Sequence, residues 1–415
     1  MLLGEWLDEG FMMYRQTYDY TGPIAAVIYK GLNIVFGRNV LAYRALSTLL
    51  ITLQSGIFNS ILLKNKVYSE NSYLPAFLFA ILSASVTDFM TLSPQLISLT
   101  FILLALRNII RRIDNQATDE LFLSSGIYVG VATMIFLPAS VFLLVFLFSL
   151  ILFSSAIPRR LLLYLFGFFL VFVFCALYYY FYDSLFEFVD RAIFNGILLQ
   201  PKVLLDQISI LILISPFAFI LLLSGIVKAG KLRLTNFQQK VEQVVWLIML
   251  GGIAIILLSN EKAGTELLFL VPPIAYFWTH YFILLKRRFF KALMPFLLVF
   301  GILVLSVVFY NNQLHSILID VEGTKSKTMV IGEKLELYLS SPILSPFFNG
   351  SISKDILDEL DSYEGATNFH EIFKSTDPDR IVDQLGAMQK IMHRFPEIQN
   401  NYRRVSPTEY IKISN

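Results

Sequence analysis

The sequence predicts a mostly α-helical, polytopic membrane protein of about ten spans, followed by a small soluble α/β domain. Hydrophobic residues make up 56% of the chain, charged residues only 15%, and the mean hydropathy is +0.65. Soluble domains usually carry about 25% charged residues. Most of this chain therefore faces lipid rather than water, which excludes a soluble enzyme, a coiled coil and a disordered chain.

Ten apolar runs approach the roughly 20 residues that a spanning helix needs. They cover residues 41–63, 73–90, 92–110, 121–137, 139–155, 161–181, 204–227, 244–259, 265–285 and 289–310. Together they predict a transmembrane bundle over residues 41–310. The fourth and fifth runs are short and meet at Pro138, so we expect a hairpin of short helices there, with one long kinked helix as the alternative.

Lysine and arginine concentrate in every second loop between these runs, which orients the bundle. The basic residues are Lys64, Lys66, Arg107, Arg111, Arg112, Arg159, Arg160, Lys228, Lys231, Arg233, Lys286, Arg287 and Arg288. Cytoplasmic loops carry such an excess. Residues 1–40 and 315–415 are therefore predicted to lie on the opposite, extracytoplasmic side.

Two extracytoplasmic segments have the pattern of helices that lie on a membrane surface. Residues 20–37 place Ile24, Ile28, Leu32 and Phe36 at helical spacing, so the outer loop 1–40 should contain an amphipathic helix. Residues 183–199 mix apolar and charged side chains in the same way.

The composition changes near residue 311, where a soluble domain begins. Residues 315–415 hold 15 acidic and 11 basic side chains. Strand-like runs occur at 328–331 and 410–413, and helical patterns at 354–360 and 384–395. These patterns predict a small α/β domain on the periplasmic side.

Several classes of site and partner are excluded or disfavoured. The only cysteine, Cys175, lies in an apolar run, so a disulfide within the chain is excluded. The four histidines are scattered, and we expect neither a metal site nor a cofactor. The net charge of +2 provides no basic field for nucleic acid.

The candidate site lies in the outer loop, where Asp8 and Glu9 precede an arginine at the start of the first span, Arg44. A carboxylate partly covered by a surface helix can have a raised pKa and act as a general base. An arginine can hold a lipid-linked phosphate through charge-assisted hydrogen bonds. Asp8 is the preferred base and Glu9 its neighbour or substitute.

Four elements carry a family resemblance: the acid pair with its neighbours at 7–10, the aromatic stretch and turn at 14–23, the tail at 34–37, and the span start at 42–46. Together they resemble the GT-C superfamily of polytopic glycosyltransferases, which use polyprenyl-phosphate-linked sugars. Segments 71–75, 92–96 and the apolar hairpin up to Phe181 also resemble an uncharacterised family of bacterial multispanning proteins.

The resemblance implies transfer of a sugar from a polyprenyl-phosphate donor at the outer face of a bacterial inner membrane. Arg191 and Lys202 are further candidates for the donor phosphate. Related enzymes often have an acid just before the third span, and the nearest acid here is Asp88.

Each residue also has a purely structural interpretation. Asp8 and Glu9 can be solvated loop residues, Arg44 can reach the membrane interface, and Asp88 can cap a helix. Arg191 and Lys202 can anchor the surface segment. The alternative function is a non-catalytic scaffold or an accessory protein of the envelope or of secretion, which binds an envelope partner through its C-terminal domain. A transporter is disfavoured because the charges cluster at span ends.

Overall fold

The computed structural model describes residues 1–17, 19–68, 70–84, 87–113, 118–153, 157–194, 234–259, 264–284, 327–332, 357, 360 and 362–413. The chain divides into two compact units. The composite unit comprises three segments, Met1–Asn39, Ala176–Leu199 and His315–Asn415. The helical unit comprises Val40–Cys175 and Gln200–Leu314.

The described chain is mostly helical, as predicted. Its α-helices are α1 (Leu2–Asp8), α2 (Pro23–Phe36), α3 (Val40–Lys64), α4 (Leu74–Ala84), α5 (Pro94–Ile113), α6 (Asp119–Ile135), α7 (Val141–Phe153), α8 (Pro158–Phe181), α9 (Leu185–Glu187), α10 (Asn236–Leu258), α11 (Val271–Leu284), α12 (Tyr363–Thr376), α13 (Met388–Arg394) and α14 (Pro396–Asn401). Short 3₁₀-helices cover Thr87–Met90, Leu137–Ser140 and Thr265–Leu270, and a π-helix covers Phe188–Phe194.

Within the described residues, three helices are long and apolar enough to cross a membrane: α3, α8 and α10. On α8, Leu162, Phe166, Phe169 and Val173 recur every three or four residues and are all exposed. Such an apolar stripe on a helix surface fits contact with lipid. These three helices support the interpretation of the chain as a membrane protein.

Of the remaining predicted runs, 92–110 forms the 20-residue helix α5, and the others form shorter or interrupted helices or lie outside the described residues. Run 73–90 becomes α4 and a separate 3₁₀-helix, and run 265–285 likewise starts as a 3₁₀-helix before α11. Runs 204–227 and 289–310 lie outside the described residues. The prediction of ten spans therefore stays a prediction.

The chain breaks between α6 and α7, as two separate helices require. Phe136 ends α6 in an extended conformation, and Pro138 lies at the start of the following 3₁₀-helix. Proline disfavours helical backbone in the residue before it and cannot donate a backbone hydrogen bond. One continuous kinked helix is therefore not observed.

The helical unit brings together loops that the charge pattern places on the same side. Gln238, in the first turn of α10, donates from its side-chain amide to the carbonyl of Lys66 at 3.5 Å. The guanidinium groups of Arg112 and Arg160 each lie 5.7 Å from the centre of the Phe122 ring. Arg160 also pairs with Asp119 at 2.8 Å. Lys66 thus contacts the start of α10, and Arg112 and Arg160 lie beside the same ring.

Helices α6 and α8 approach each other closely through glycines. A Cβ atom at Gly126 would lie 2.0 Å from the carbonyl oxygen of Tyr164, and one at Gly167 would lie 2.4 Å from that of Leu123. Gly130, one turn beyond Gly126, likewise faces the Phe168 carbonyl. Small residues four apart allow this kind of backbone contact between membrane helices.

The C-terminal domain contains a four-stranded sheet, which includes the predicted strand 328–331 and most of the predicted strand 410–413. Its strands are β1 (Thr328–Ile331), β2 (Arg380–Asp383), β3 (Tyr402–Ser406) and β4 (Glu409–Lys412), in the order β1-β2-β4-β3. β1 and β2 are parallel, and the other pairs are antiparallel. α12, α13 and α14 pack on it around Phe369, Met388 and Ile398. Most of the predicted helix 354–360 lies outside the described residues.

Candidate functional site

The outer loop folds into a pair of helices, α1 and α2, that pack against each other. α1 buries Leu3, Trp6 and Leu7, while α2 buries Ala25, Ala26 and Tyr29. A Cβ atom at Gly4 would lie 2.4 Å from the Tyr29 carbonyl oxygen, so only glycine permits this approach. The acid pair is thereby fixed at the end of a packed helix.

The apolar side chains of α2 differ in their exposure. Ile24, Ile28 and Leu32 are only half-buried, while Val27, Ile34, Val35 and Phe36 are exposed. The reason is that α1 covers the face containing Ala25, Ala26 and Tyr29. The exposed apolar side of α2 is therefore rotated away from α1.

Asp8 is the last residue of α1, Glu9 follows it, and both side chains are exposed. The side-chain amide of Asn33 on α2 donates to Asp8 Oδ2 at 3.1 Å. One turn earlier, Glu5 pairs with Arg38 just beyond α2, through Arg38 Nη2 to Glu5 Oε1 at 2.7 Å and through Nε to the other oxygen. Three acids and one cation thus gather beside the same helix.

Glu9 has the electrostatics expected of a base. The Glu9 side chain is exposed, but nearby protein atoms partly desolvate it and raise its pKa above the ordinary value of 4.5, and the negative charges of Glu5 and Asp8 raise it further. Arg38 acts in the opposite direction. A carboxylate that is accessible and holds a proton more tightly than usual is suited to accept one from a bound hydroxyl.

A strained turn links α1 to α2. Gly10 and Tyr14 both have positive φ, at 101° and 67°. Tyr14 is fully buried, and its hydroxyl donates to the Thr21 carbonyl at 2.5 Å. A left-handed tyrosine persists only where surrounding contacts hold it.

Arg191 supplies one of those contacts. It lies on the π-helix, and its guanidinium donates to the Tyr14 carbonyl and, at 3.4 Å, to the Arg15 carbonyl. The Tyr14 ring also meets Tyr179 and Phe188, with centroids 5.2 and 5.7 Å away. Arg191 therefore joins the second surface segment to the outer loop, as the anchoring interpretation of this residue expects.

The other predicted site residues lie elsewhere. Arg44 is exposed on α3, in the helical unit. Asp88 belongs to the 3₁₀-helix Thr87–Met90, and its side chain is outside the described residues. Lys202 is also outside them. The composite unit thus contains Asp8, Glu9 and Arg191.

Sequence reasoning gave no role to Glu5, Asn33 and Arg38, which surround the acid pair. Glu5 and Glu9 lie four residues apart, a spacing that places them on one side of α1, and this signal was available. The pairing of Asp8 with Asn33 and of Glu5 with Arg38 could not be predicted from the sequence, because it depends on how α2 packs on α1.

A fourth missed residue is Glu266, which is only 2% exposed in the helical unit. Its carboxylate accepts from Ser259 Oγ at 3.1 Å and from Gln95 Nε2 at 3.4 Å. These residues come from the C-terminal end of α10 and the start of α5. Glu266 therefore joins two helix ends that the charge pattern places on the extracytoplasmic side.

Among the described residues, no three His, Cys, Asp or Glu side chains cluster in a way that would hold a metal ion. No family model matches the chain, and no curated protein matches it significantly.

Proposed function

We propose that the chain is a glycosyltransferase of the GT-C type in a bacterial inner membrane, which moves a sugar from a polyprenyl-phosphate donor to an acceptor at the outer face. The observation that carries this proposal is Glu9, an exposed carboxylate with a raised pKa at the end of a packed helix. The motif resemblance and the apolar helices supply the membrane and donor parts of the proposal.

The reaction is a displacement at the anomeric carbon of the donor sugar. The Glu9 carboxylate takes the proton of an acceptor hydroxyl, and that oxygen forms a bond to the anomeric carbon. The bond from this carbon to the donor phosphate breaks, and polyprenyl phosphate leaves with the electron pair. A cation, for which Arg44 is the candidate, stabilises the charge that develops on the phosphate.

Glu9 replaces Asp8 as the preferred base because of their different surroundings. Asp8 accepts a hydrogen bond from the Asn33 amide, which occupies one of its two carboxylate oxygens. Asp8 in turn contributes negative charge that raises the pKa of Glu9. We assign Asp8 the role of a neighbour that tunes the base.

The test compares Glu9→Gln with Asp8→Asn in a strain that lacks the chromosomal copy, with envelope glycans profiled by mass spectrometry. Loss of a general base typically lowers a rate about 10²–10⁴-fold. The wild-type gene should restore the glycan that the deletion strain lacks. We expect Glu9→Gln not to restore it and Asp8→Asn to restore it in part. Glu120→Gln, an exposed acid at the start of α6, is the matched control.

Arg44→Ala tests the proposed phosphate contact separately. Its guanidinium is exposed, so the substitution should leave the membrane abundance unchanged. We expect a higher KM for a polyprenyl-phosphate sugar and an unchanged acidic limb of the pH profile. An unchanged KM would remove Arg44 from the site.

A non-catalytic scaffold is the second candidate, and the Arg191 contact favours it. A side chain proposed to hold a donor phosphate instead binds backbone carbonyls of the outer loop. Full complementation by Glu9→Gln and Asp8→Asn at normal membrane abundance would make the scaffold the better account.

A further inference from the structure

The C-terminal domain has an open groove of about 380 Å³ between one face of α12 and the corner where α13 meets α14. Tyr363, Thr367 and His370 line it from α12, at the spacing of successive helical turns. Arg394, Phe395 and Glu397 line it from the corner. The volume lies in the range of small-ligand sites, about 300–1,000 Å³.

Two aromatic rings form part of the groove wall. Tyr363 is 85% exposed at one end. Phe395 is held in place by rings on α12, since it stacks on Phe369 with centroids 5.8 Å apart and on His370 at 5.5 Å. One ring is thus accessible and the other is fixed before any ligand arrives.

The polar groups of the groove include both hydrogen-bond donors and acceptors. Arg394 and Glu397 are exposed and carry opposite charges. The Thr367 hydroxyl donates to the Tyr363 carbonyl at 2.8 Å and keeps its acceptor capacity. His370 Nδ1 is buried and has no hydrogen-bond partner within the described part of the chain.

This balance selects the chemistry of the ligand. An anion would meet Glu397, and a cation would meet Arg394. A purely apolar ligand would cover the charged groups of Arg394 and Glu397 without pairing with them. A neutral molecule with many hydroxyl groups pairs with donors and acceptors alike, while the carbon face of a sugar ring packs against an aromatic ring.

We propose that this groove binds a neutral oligosaccharide, the acceptor of the sugar transfer. The inference rests on the proposed function and names its acceptor class. The groove and Glu9 belong to the same compact unit. Within that unit, Tyr20 of the outer loop packs against the hydrophobic core of the C-terminal domain.

The test measures binding of chitotetraose, maltotetraose and mannotetraose to the full chain in lipid nanodiscs, by saturation-transfer NMR and calorimetry. We expect at least one of the three to bind. Tyr363→Ala should weaken it about fivefold, since a lost aromatic contact is worth roughly 1 kcal/mol and about 1.4 kcal/mol is tenfold in Kd. His370→Ala should weaken it by a similar factor.

Val405→Ala and Arg403→Ala are the matched controls, because both side chains are exposed on β3, away from the groove lining. Binding of none of the three saccharides, or binding that both groove variants leave unchanged, would overturn the proposal. Tighter binding of an unstructured peptide than of any saccharide would overturn it as well.

The outcome can be separated from that of the proposed function. If saccharide binding depends on Tyr363 but Glu9→Gln complements fully, the groove binds saccharide and the proposed transferase activity is wrong. If Glu9→Gln abolishes the glycan while no saccharide binds, the transferase stands and the acceptor groove falls.

Discussion

Glu9 combines exposure with a raised pKa, and this combination sets the pH dependence expected of the protein. Below its pKa the carboxyl is protonated and accepts no proton, so transfer should fall as the pH decreases through a value above 4.5. Glu5→Gln removes a neighbouring negative charge and should move this acidic limb to lower pH. The measurement is the rate of glycan formation in membranes between pH 4 and pH 8.

The folding stability of the protein should not have the same pH dependence as the transfer rate. A carboxyl whose pKa is higher in the folded state favours folding at acid pH, and this contribution is lost as the pH rises through the folded pKa. Glu9→Gln should therefore leave the thermal stability at neutral pH unchanged or slightly higher. If the acidic limb of the rate profile stays at the same pH in Glu5→Gln and in Glu9→Gln, another group controls the rate.

Arg191 makes a structural contact, and its substitution should show a structural effect. Hydrogen bonds from charged groups contribute about 1.5–3 kcal/mol. We expect Arg191→Gln to lower the thermal stability. In this variant we also expect trypsin to cleave the peptide bond after Arg15, which is exposed. Arg403→Gln, an exposed arginine of β3, is the control. A raised donor KM with unchanged stability would instead support the phosphate role.

At the level of elements, the packing of α6 on α8 depends on glycine. Gly126→Ala would place a methyl group 2.0 Å from a backbone oxygen, which neither helix can accommodate without moving. We expect lower membrane abundance and a lower unfolding temperature in detergent. Gly56→Ala on α3 is the matched control, since a Cβ there meets no atom within 4 Å. Alanine should be neutral or stabilising there by up to about 1 kcal/mol.

The elements that sequence could predict are those with a strong local pattern. Long apolar runs became α3, α8 and α10, and the β-branched run at 328–331 became β1. β2 was missed because charged residues, Arg380 and Asp383, stand at its two ends, and β3 was missed because it exposes three of its five side chains. Their conformation depends on pairing with β4, which is information that local composition lacks.

The same limit applies to the candidate site. Asp8 and Glu9 could be selected because an acid pair beside an amphipathic helix is visible in the sequence. The preference between these two acids could not be predicted, because it depends on the hydrogen bond from Asn33 on α2 to Asp8 on α1. Arg191 was placed among phosphate ligands because sequence shows its charge but not its contact with the Tyr14 carbonyl.

For the whole molecule, the alternation of basic loops makes a testable statement about sidedness. Val405 is exposed in the C-terminal domain, and Ile157 is exposed in a loop predicted to be cytoplasmic. With Cys175 replaced by alanine, Val405→Cys should react with a membrane-impermeant maleimide in intact spheroplasts. Ile157→Cys should react only after permeabilisation.

The reverse labelling pattern would contradict the topology and place Asp8 and Glu9 on the cytoplasmic side. Labelling of neither cysteine in permeabilised cells would point to burial in an assembly. Quantifying both variants by immunoblot separates these outcomes from loss of the protein.

The composite unit has a consequence for the order in which the chain acquires its structure. Its first 39 residues pack with segments that begin at residues 176 and 315. Ribosomes add roughly 5–20 residues per second, so the N-terminal helices wait on the order of tens of seconds for their last partner. During that interval Tyr20 lacks the C-terminal core that it packs against in the finished protein. The unit that contains the acid pair is therefore completed last, and a chain truncated before residue 315 would expose an unfinished surface to the cell's proteases.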